Sequence, residues 1–435
     1  MNRLLILVAT LLALAGCHSD KRPEIVIQRF FGECGALYAK SIDVAAADSE
    51  CGILTTLINR FQAENPDVKV SVNVVAWPGY PQLSAQIAAG DPPDLVTMHQ
   101  SVISDYQQRG LLMPMDGILH EAGLAPEDFT TAARQGVIKR GAYYGMPWDT
   151  IGRLWHIDTA LMDRAGLMAG ERPILPHSPE ELLAQARQFK ARTGKPYLIQ
   201  AQVSAPDYLV ANLYTYLLAQ NVVFFPDARH VRLDTPEARA IVALFRQLNQ
   251  ERLTTVSQDF PAATAAFMNG EGGIFPTGTW MIGPYDKEAE SADRPLHGHY
   301  MVVPFPALWG KDAAFVDGHA WVMPRKHRTA PELDAITRFL RFMAANNQNW
   351  ARTGQLPAMA AVLDTPAFRT LPHRGEIASM ASTGAQLPDY VLRQSAIQGL
   401  IGEELEAAVN GTKSVDQALM DAERRVNELL AQLPR

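Results

Sequence analysis

Cysteine is scarce in this chain, with three in 435 residues, at positions 17, 34 and 51. None lies in a CxxC pair, and Cys34 and Cys51 have no His-x-x-x-His stretch nearby. A zinc-type ligand set is therefore not expected, and no metal or other cofactor is assigned. Basic runs are missing as well. The formal net charge is −7 and no Lys/Arg cluster interrupts it, which makes nucleic acid a poor partner. An anionic ligand would need local arginines or helix N-termini to overcome that field. The signatures GxSxG, HExxH and GxxxxGK(S/T) do not occur, so those hydrolase and nucleotide-binding motifs are excluded. Internal repeats and low-complexity tracts are also absent. What remains is 47% hydrophobic and 20% charged, the composition of a folded globular protein long enough for two or three domain-sized units.

The first sixteen residues carry a targeting pattern. Arg3 supplies the positive start, and Leu4 to Leu14 is almost unbroken Leu, Ile, Val and Ala, too short to span a bilayer. Leu14-Ala15-Gly16-Cys17 resembles the lipobox of bacterial lipoproteins. That implies a signal peptide over residues 1–16, lipidation of Cys17, and anchoring at the periplasmic or cell-surface face of a bacterial membrane without a spanning helix. An ordinary signal peptide with a chance cysteine is the alternative. An exported chain meets oxidising chemistry, so Cys34 and Cys51 are expected to pair. Their loop of roughly 17 residues is worth about 3 kcal/mol in the chain-entropy model.

The mature chain is organised around Ile87 to His99. Gly90 suits the left-handed end of a helix, Pro92 and Pro93 cannot continue it, and Leu95-Val96 has the character of a buried parallel strand. His99, Gln100 and Ser101 then fall just past the strand's carboxyl end, where open α/β sheets bind ligands. Upstream, Glu24–Phe31 is a first strand, Ile53–Glu64 an amphipathic helix, Val68–Val75 an alternating strand and Gln82–Ala89 a helix. This β-α-β-α-β order predicts an α/β protein with a parallel sheet. Further helices are predicted over Pro179–Arg192, Tyr208–Ala219, Pro236–Asn249 and Pro331–Asn346, and from Ser414 onward.

Several of these stretches carry a resemblance. Gly90 to Val96 resembles the "aG-x-x-PD-hydrophobic" signature of the family 1 extracellular solute-binding proteins, the receptors that feed ABC-type sugar importers. Phe61 to Val70 resembles their "F-x-x-ENP-x-VKV" stretch, and Gly110 to Asp116 their "G-L-x-P-L-D" element. Tyr144-Gly145-Met146-Pro147 with Arg153 to His156 is similar to their crossover, except that Trp155-His156 stands where the family has Tyr-Asn. Phe267 to Trp280, Gly354 to Pro357 and Ser414 to Leu419 continue the family order. The resemblance implies a two-lobed periplasmic-binding-protein fold of type II. Each lobe would be a mixed, mostly parallel sheet flanked by helices, with hinge crossovers between them. Residues 17–149 and 316–346 would form the N-lobe, 150–304 and 347–435 the C-lobe, and 305–315 a hinge. Phe315 to Met323 would be a strand returning to the first lobe.

A sugar presents hydroxyls around an apolar ring face, so its site needs aromatic planes with carboxylates, amides and hydroxyls around them. Trp280 is the best single candidate, because the family's Trp here commonly stacks on ligand, and Thr279 precedes it. Trp77, Tyr80 and His99 share the predicted strand edge, and Glu33 follows the first strand. Trp148 and Asp149 sit at the crossover, and Asp317, Gly318 and His319 at the return. Tyr208 and Tyr390 complete the ligand candidates. Packing or hinge roles are the competing readings for each. The implied activity is capture of a carbohydrate of the maltose or trehalose type for delivery to a membrane permease, by a monomer that is not an enzyme. A glycerol 3-phosphate or glycerophosphodiester receptor is the alternative; it would want cationic groups in the cleft, for which Arg29, Arg153 and Arg352 are the candidates. An extracellular glycan hydrolase is more remote. Asp149, Glu271 and Asp317 supply carboxylates, but no spacing pairs them.

Overall fold

In a computed structural model of the chain, residues 22–433 are described. The targeting segment and the proposed lipidation site Cys17 lie outside them. The chain builds two α/β units joined at a seam.

The first unit grows from β1 (Glu24–Arg29), β2 (Lys69–Val74) and β3 (Leu95–His99), with β1 paired in parallel to both of the others. The helix Glu50–Glu64 connects β1 to β2, and Tyr80–Ala88 connects β2 to β3. The first of these starts three residues earlier than its apolar spacing indicates, because the Ser49 hydroxyl accepts from Gly52 N–H and caps it. That extension brings Glu50 onto a helix. The second starts at Tyr80 instead of Gln82, since proline is tolerated in a first helical turn. A short β4 (Met146–Pro147) lies at the far edge of this sheet.

The chain then leaves through Trp148 into β5 (Asp149–Asp158), ten residues long and buried throughout. β5 is the spine of the second sheet. It pairs antiparallel with β6 (Ile274–Gly278), β7 (Tyr300–Pro304) and β8 (Ala314–Asp317), and β8 runs straight into β9 (His319–Val322). β10 (Leu356–Pro357) pairs antiparallel with the start of β5, and β11 (Gly384–Ala385) pairs in parallel with β8. Parallel bridges from Leu198 to Ile274 and from Leu198 to Thr254 extend the sheet and make it mixed.

The stretch expected as one returning strand, Phe315 to Met323, is two. β8 belongs to the second sheet, whereas β9 inserts between β3 and β4 in the first, antiparallel to both. The break is Gly318, where a Cβ would lie 2.3 Å from the Asp149 carbonyl oxygen, so no larger residue fits. The second passage between units is therefore at Gly318 and not over 305–315, whose Phe305, Leu308 and Phe315 are packed in the core of the second unit. A third link follows residue 346. Trp350 and Ala358 pack in the first core, while Ala351 and Leu356 pack in a cluster with Leu154, Ile282 and Val316. The disulfide joins Cys34 to Cys51 and pins the 34–51 loop to the helix that follows.

Candidate functional site

All three links between the units meet at one carboxylate. Asp149 is fully buried at the start of β5. Its Oδ1 accepts from the His319 backbone N–H at 2.7 Å, and its Oδ2 accepts from Trp350 Nε1–H at 2.7 Å and pairs with His319 Nδ1 at 2.8 Å. One acid thus ties the first passage to the second and third. A buried carboxylate is tolerated only when paired and hydrogen-bonded, and here it is both. Burial pulls the His319 pKa down, but the charge of Asp149 and its hydrogen bond outweigh it, so the imidazole is held above its ordinary value. The Trp148 ring is 1% exposed and is tilted against Trp350 and edge-on to Trp321, at 5.5 and 6.2 Å. Asp317 accepts from Ser101 N–H and Oγ–H and from Gly318 N–H, which fastens the second passage to the first turn of the Gln100–Gln108 helix.

Around this knot the first unit presents a ring cluster. The His99 and His319 imidazoles are 4.7 Å apart, Phe30 stacks on His99 at 5.2 Å, and Phe31 meets both His319 and Trp350 edge-on. The Tyr80 hydroxyl accepts from the His99 backbone N–H at 2.9 Å and lies 2.8 Å from His99 Nδ1. Its own proton then goes to Nδ1, which leaves the ring neutral with its hydrogen on Nε2. Burial, and then the charge of His319, push the His99 pKa down to about 4, which agrees with that tautomer. Trp77, 70% exposed, meets the edge of this cluster with its ring 6.0 Å from His99.

A chain of polar contacts crosses from here to the second unit. Gln355 Nε2 donates to Glu50 Oε1 at 2.6 Å, and Thr279 Oγ1 donates to Gln355 Oε1 at 2.6 Å. Burial raises the Glu50 pKa against the opposing pull of His319. Thr279 leads into Trp280, whose half-buried ring folds back on Gly278; a Cβ there would stand 2.0 Å from the ring. Arg153 occupies the register position opposite Gly278. Its guanidinium carbon lies 3.9 Å from the Tyr208 ring centroid and 4.9 Å from that of Trp280, and Nη2 donates to Asp207 at 2.5 Å.

The structure therefore brings Trp77, Tyr80, His99, Asp149, Gly318 and His319 together on one side of the seam, and Tyr208, Thr279 and Trp280 on the other. Trp148 and Asp317 stand behind them as supports. Glu33 is exposed, with its carboxylate turned back on Gly35 N–H. Tyr390 lies elsewhere, against the core of the second unit, donating to the Phe225 carbonyl. Sequence reasoning did not select Phe30, Phe31, Glu50 or Gln355. The two phenylalanines follow β1 at the sheet edge that holds His99, a position legible in the strand pattern. Glu50 and Gln355 meet only through tertiary packing and had no local signal. Of the three arginines, Arg29 donates to Gly32 O and Thr55, and Arg352 holds the carbonyls of Val44, Ala45 and Ala47. Among the described residues no group of three or more His, Cys, Asp or Glu is placed to hold a metal ion, and no helix is long and apolar enough to cross a membrane.

Comparison with known proteins places this arrangement in context. A binding protein of Brucella abortus (strain 2308) is 26% identical over 235 residues, 53% of this chain and 55% of the relative, so the match spans little more than half of that protein. The sn-glycerol-3-phosphate-binding periplasmic protein UgpB of Shigella dysenteriae is 23% identical over 418 residues, 86% of this chain and 88% of the relative. Among solved structures, the sugar-binding protein MalE of Xanthomonas citri superposes with a TM-score of 0.77 at 17% identity, covering 94% of this chain and 98% of that one. Maltose-bound MalE3 of T. maritima gives 0.75 at 18%, covering 93% and 99%. At such identities the likeness is one of fold, and it is the two-lobed periplasmic-binding fold. The model of the bacterial extracellular solute-binding proteins matches residues 56–376, from the first long helix to beyond the third link, and it is to this family that the chain belongs.

Proposed function

We propose that the chain is the solute-capturing receptor of an ABC-type importer and takes a carbohydrate, a di- or oligosaccharide, into the seam between its units. The observation that carries this reading is the continuous run of groups from His99 through His319, Glu50 and Gln355 to Thr279 and Trp280. It sets ring faces, amides and carboxylates side by side, the set a sugar requires. Trp280 and Tyr208 would supply the stacking surface, with Trp77, Tyr80 and His99 closing on the opposite face. The MalE proteins of matching fold are named for sugar or maltose binding, which supports the same ligand class.

In this reading Trp148, Gly318 and the 350–358 segment are the hinge, and the units open and close about Asp149. Ligand favours the closed form, which the permease subunits recognise. The receptor works as a monomer, is lipid-anchored through Cys17 and performs no bond-breaking chemistry. A second reading, capture of a phosphorylated polyol, is favoured by the sn-glycerol-3-phosphate-binding relative that aligns along 86% of the chain. A thermal-shift screen of di- and oligosaccharides against glycerol 3-phosphate separates the two, since bound ligand stabilises the native state. Small-angle scattering with the best ligand should show a smaller radius of gyration. An unchanged radius at saturation would refute the hinge-closing receptor.

A further inference from the structure

Arg29, the last residue of β1, is 3% exposed, and its charge faces a sulfur. Both terminal nitrogens lie 3.7 Å from Cys51 Sγ. The nearby Glu33 carboxylate is exposed and turned to Gly35 N–H, so it does not pair with the guanidinium. Of the other buried arginines, Arg153 pairs with Asp207, Arg328 pairs with Asp94, and Arg374 gives its nitrogens to three carbonyls. A buried cation calls for an anion. A disulfide sulfur is a poor acceptor, whereas a thiolate would be the missing counterion. Cys51 also stands in the first turn of the fifteen-residue helix Glu50–Glu64, whose N-terminal field favours an anion. Thr55 Oγ1 accepts from Arg29 Nη2 and keeps its own proton for sulfur, 3.6 Å from Cys34 Sγ and 4.0 Å from Cys51 Sγ. The other charged groups of this corner are engaged elsewhere. Glu50 accepts from Gln355 and has its pKa raised by burial, Asp48 is held by Tyr38 and Lys287, and Arg352 holds the carbonyls of Val44, Ala45 and Ala47.

We propose that the Cys34–Cys51 bond is a thiol-exchange site, with Cys34 the sulfur attacked, Cys51 the sulfur that leaves, and an external thiol as co-substrate. The division follows from access, since Cys34 is partly exposed and Cys51 is buried. The external thiolate attacks Cys34 Sγ and forms a mixed disulfide. The Cys34–Cys51 bond breaks, and its electron pair stays on Cys51 Sγ as a thiolate beside Arg29. A second external thiolate then attacks the external sulfur of the mixed disulfide, and Cys34 leaves and takes a proton from water. Two external thiols are thereby oxidised to one disulfide, and the protein disulfide is reduced to two cysteines. A leaving sulfur of low pKa departs faster, and a stabilised reduced form makes the bond easier to reduce. The loop that this bond closes carries Asp48, whose carboxylate reaches Lys287 of the second unit at 3.2 Å, so the exchange acts on a segment touching both units. The proposal is independent of the receptor reading above.

The test uses the full chain with reduced glutathione as the thiol and mass spectrometry resolved to single cysteine peptides. The mixed disulfide is expected on Cys34. In a Cys34→Ser variant, the rate at which iodoacetamide alkylates Cys51 should rise with a midpoint at least one pH unit below the ordinary thiol value of about 8.5. Adding Arg29→Gln should move that midpoint up by about a unit, and Arg29→Lys, which keeps a charge, should restore most of it. With both cysteines present, Arg29→Gln should slow reduction by glutathione threefold or more. Thr55→Val, a change of similar size at a partly exposed position, tests the same surroundings where Arg29→Gln does not fold, and should shift the midpoint in the same direction. A Cys51 midpoint at or above about 8.5, glutathione found on Cys51, or variants reduced as fast as the parent would overturn the proposal and leave an inert buried staple.

Discussion

The two faces of the seam are built on opposite principles. On the first unit, the polar side chains around Asp149 are committed to one another. Asp149 serves His319 and Trp350, Tyr80 serves His99, and Asp317 serves Ser101. On the second, the Trp280 ring is half-buried, with the Arg153 guanidinium packed against it and against the buried Tyr208 ring. A closed network holds geometry, because each member must be satisfied for the others to be; a half-buried ring keeps surface on which another group can pack. In the proposed receptor the first face would be the hinge's interior, with His99 and Trp77 at its ligand-facing rim, and the second face would be the platform.

Breaking the first face should cost most in stability. Asp149→Ala leaves the raised-pKa His319 and the Trp350 N–H buried without their acceptor, a loss of about 3–5 kcal/mol for a broken buried pair. Urea unfolding should show it. An unfolding midpoint within error of the parent would mean that the three links are held by their cores alone. The disulfide comes next. Cys34→Ser with Cys51→Ser should lower stability by about 3 kcal/mol through the loop it opens. Because that loop adjoins Glu50 and the first face, ligand affinity should change little if the platform does the binding. A loss of affinity as large as the loss of stability would place the binding energy on the first face instead.

The second face should show the reverse split. Trp280→Ala removes a half-buried ring and is expected to cost roughly 1–3 kcal/mol of ligand affinity, ten- to a hundredfold or so, with little change in unfolding. Gly278→Ala probes the same ring indirectly. Its methyl group would fall 2.0 Å from the indole, so the ring must swing off its seat, and the affinity loss should approach that of Trp280→Ala. Affinity unchanged from the parent in both variants would end the idea of a stacking platform.

How much of this the sequence discloses follows the same division. The strand edge bearing His99 is local, marked by glycine, proline and strand character within a dozen residues, whereas the crossover at Trp148 and Asp149 and the choice of Trp280 were legible through the family resemblance. Cys34 and Cys51 were the only partners left to each other. What stays hidden is pairing over distance. Glu50 is 305 residues from Gln355, and no periodicity joins them. Asp317 looks like a cleft acid until Ser101, 216 residues earlier, is seen to occupy both its oxygens. The β8–β9 break was masked because strand-forming apolar residues flank Asp317-Gly318-His319 on both sides, and only the approach of the Asp149 carbonyl shows why the chain must change sheets there.

The smallest effect is also the most discriminating between the two histidines of the first face. His99 is held neutral, with its pKa pushed from 6.5 down to about 4, so between those values the unfolded chain binds a proton that the folded one does not. Its contribution therefore destabilises the fold as pH falls from 6.5 towards 4. His319 runs the other way. Its folded pKa lies above 6.5, so its contribution is complete below 6.5 and is lost as pH rises through the folded value. Glu50, raised by burial from 4.5, also loses its contribution as pH rises, and it opposes His99 in the acid window. In a Glu50→Gln background, His99→Gln should flatten the fall in melting temperature below pH 6.5, and His319→Gln should flatten the fall above it. If both substitutions act on the same side of pH 6.5, the imidazoles do not divide their roles between Tyr80 and Asp149, and the first face is not the closed network described.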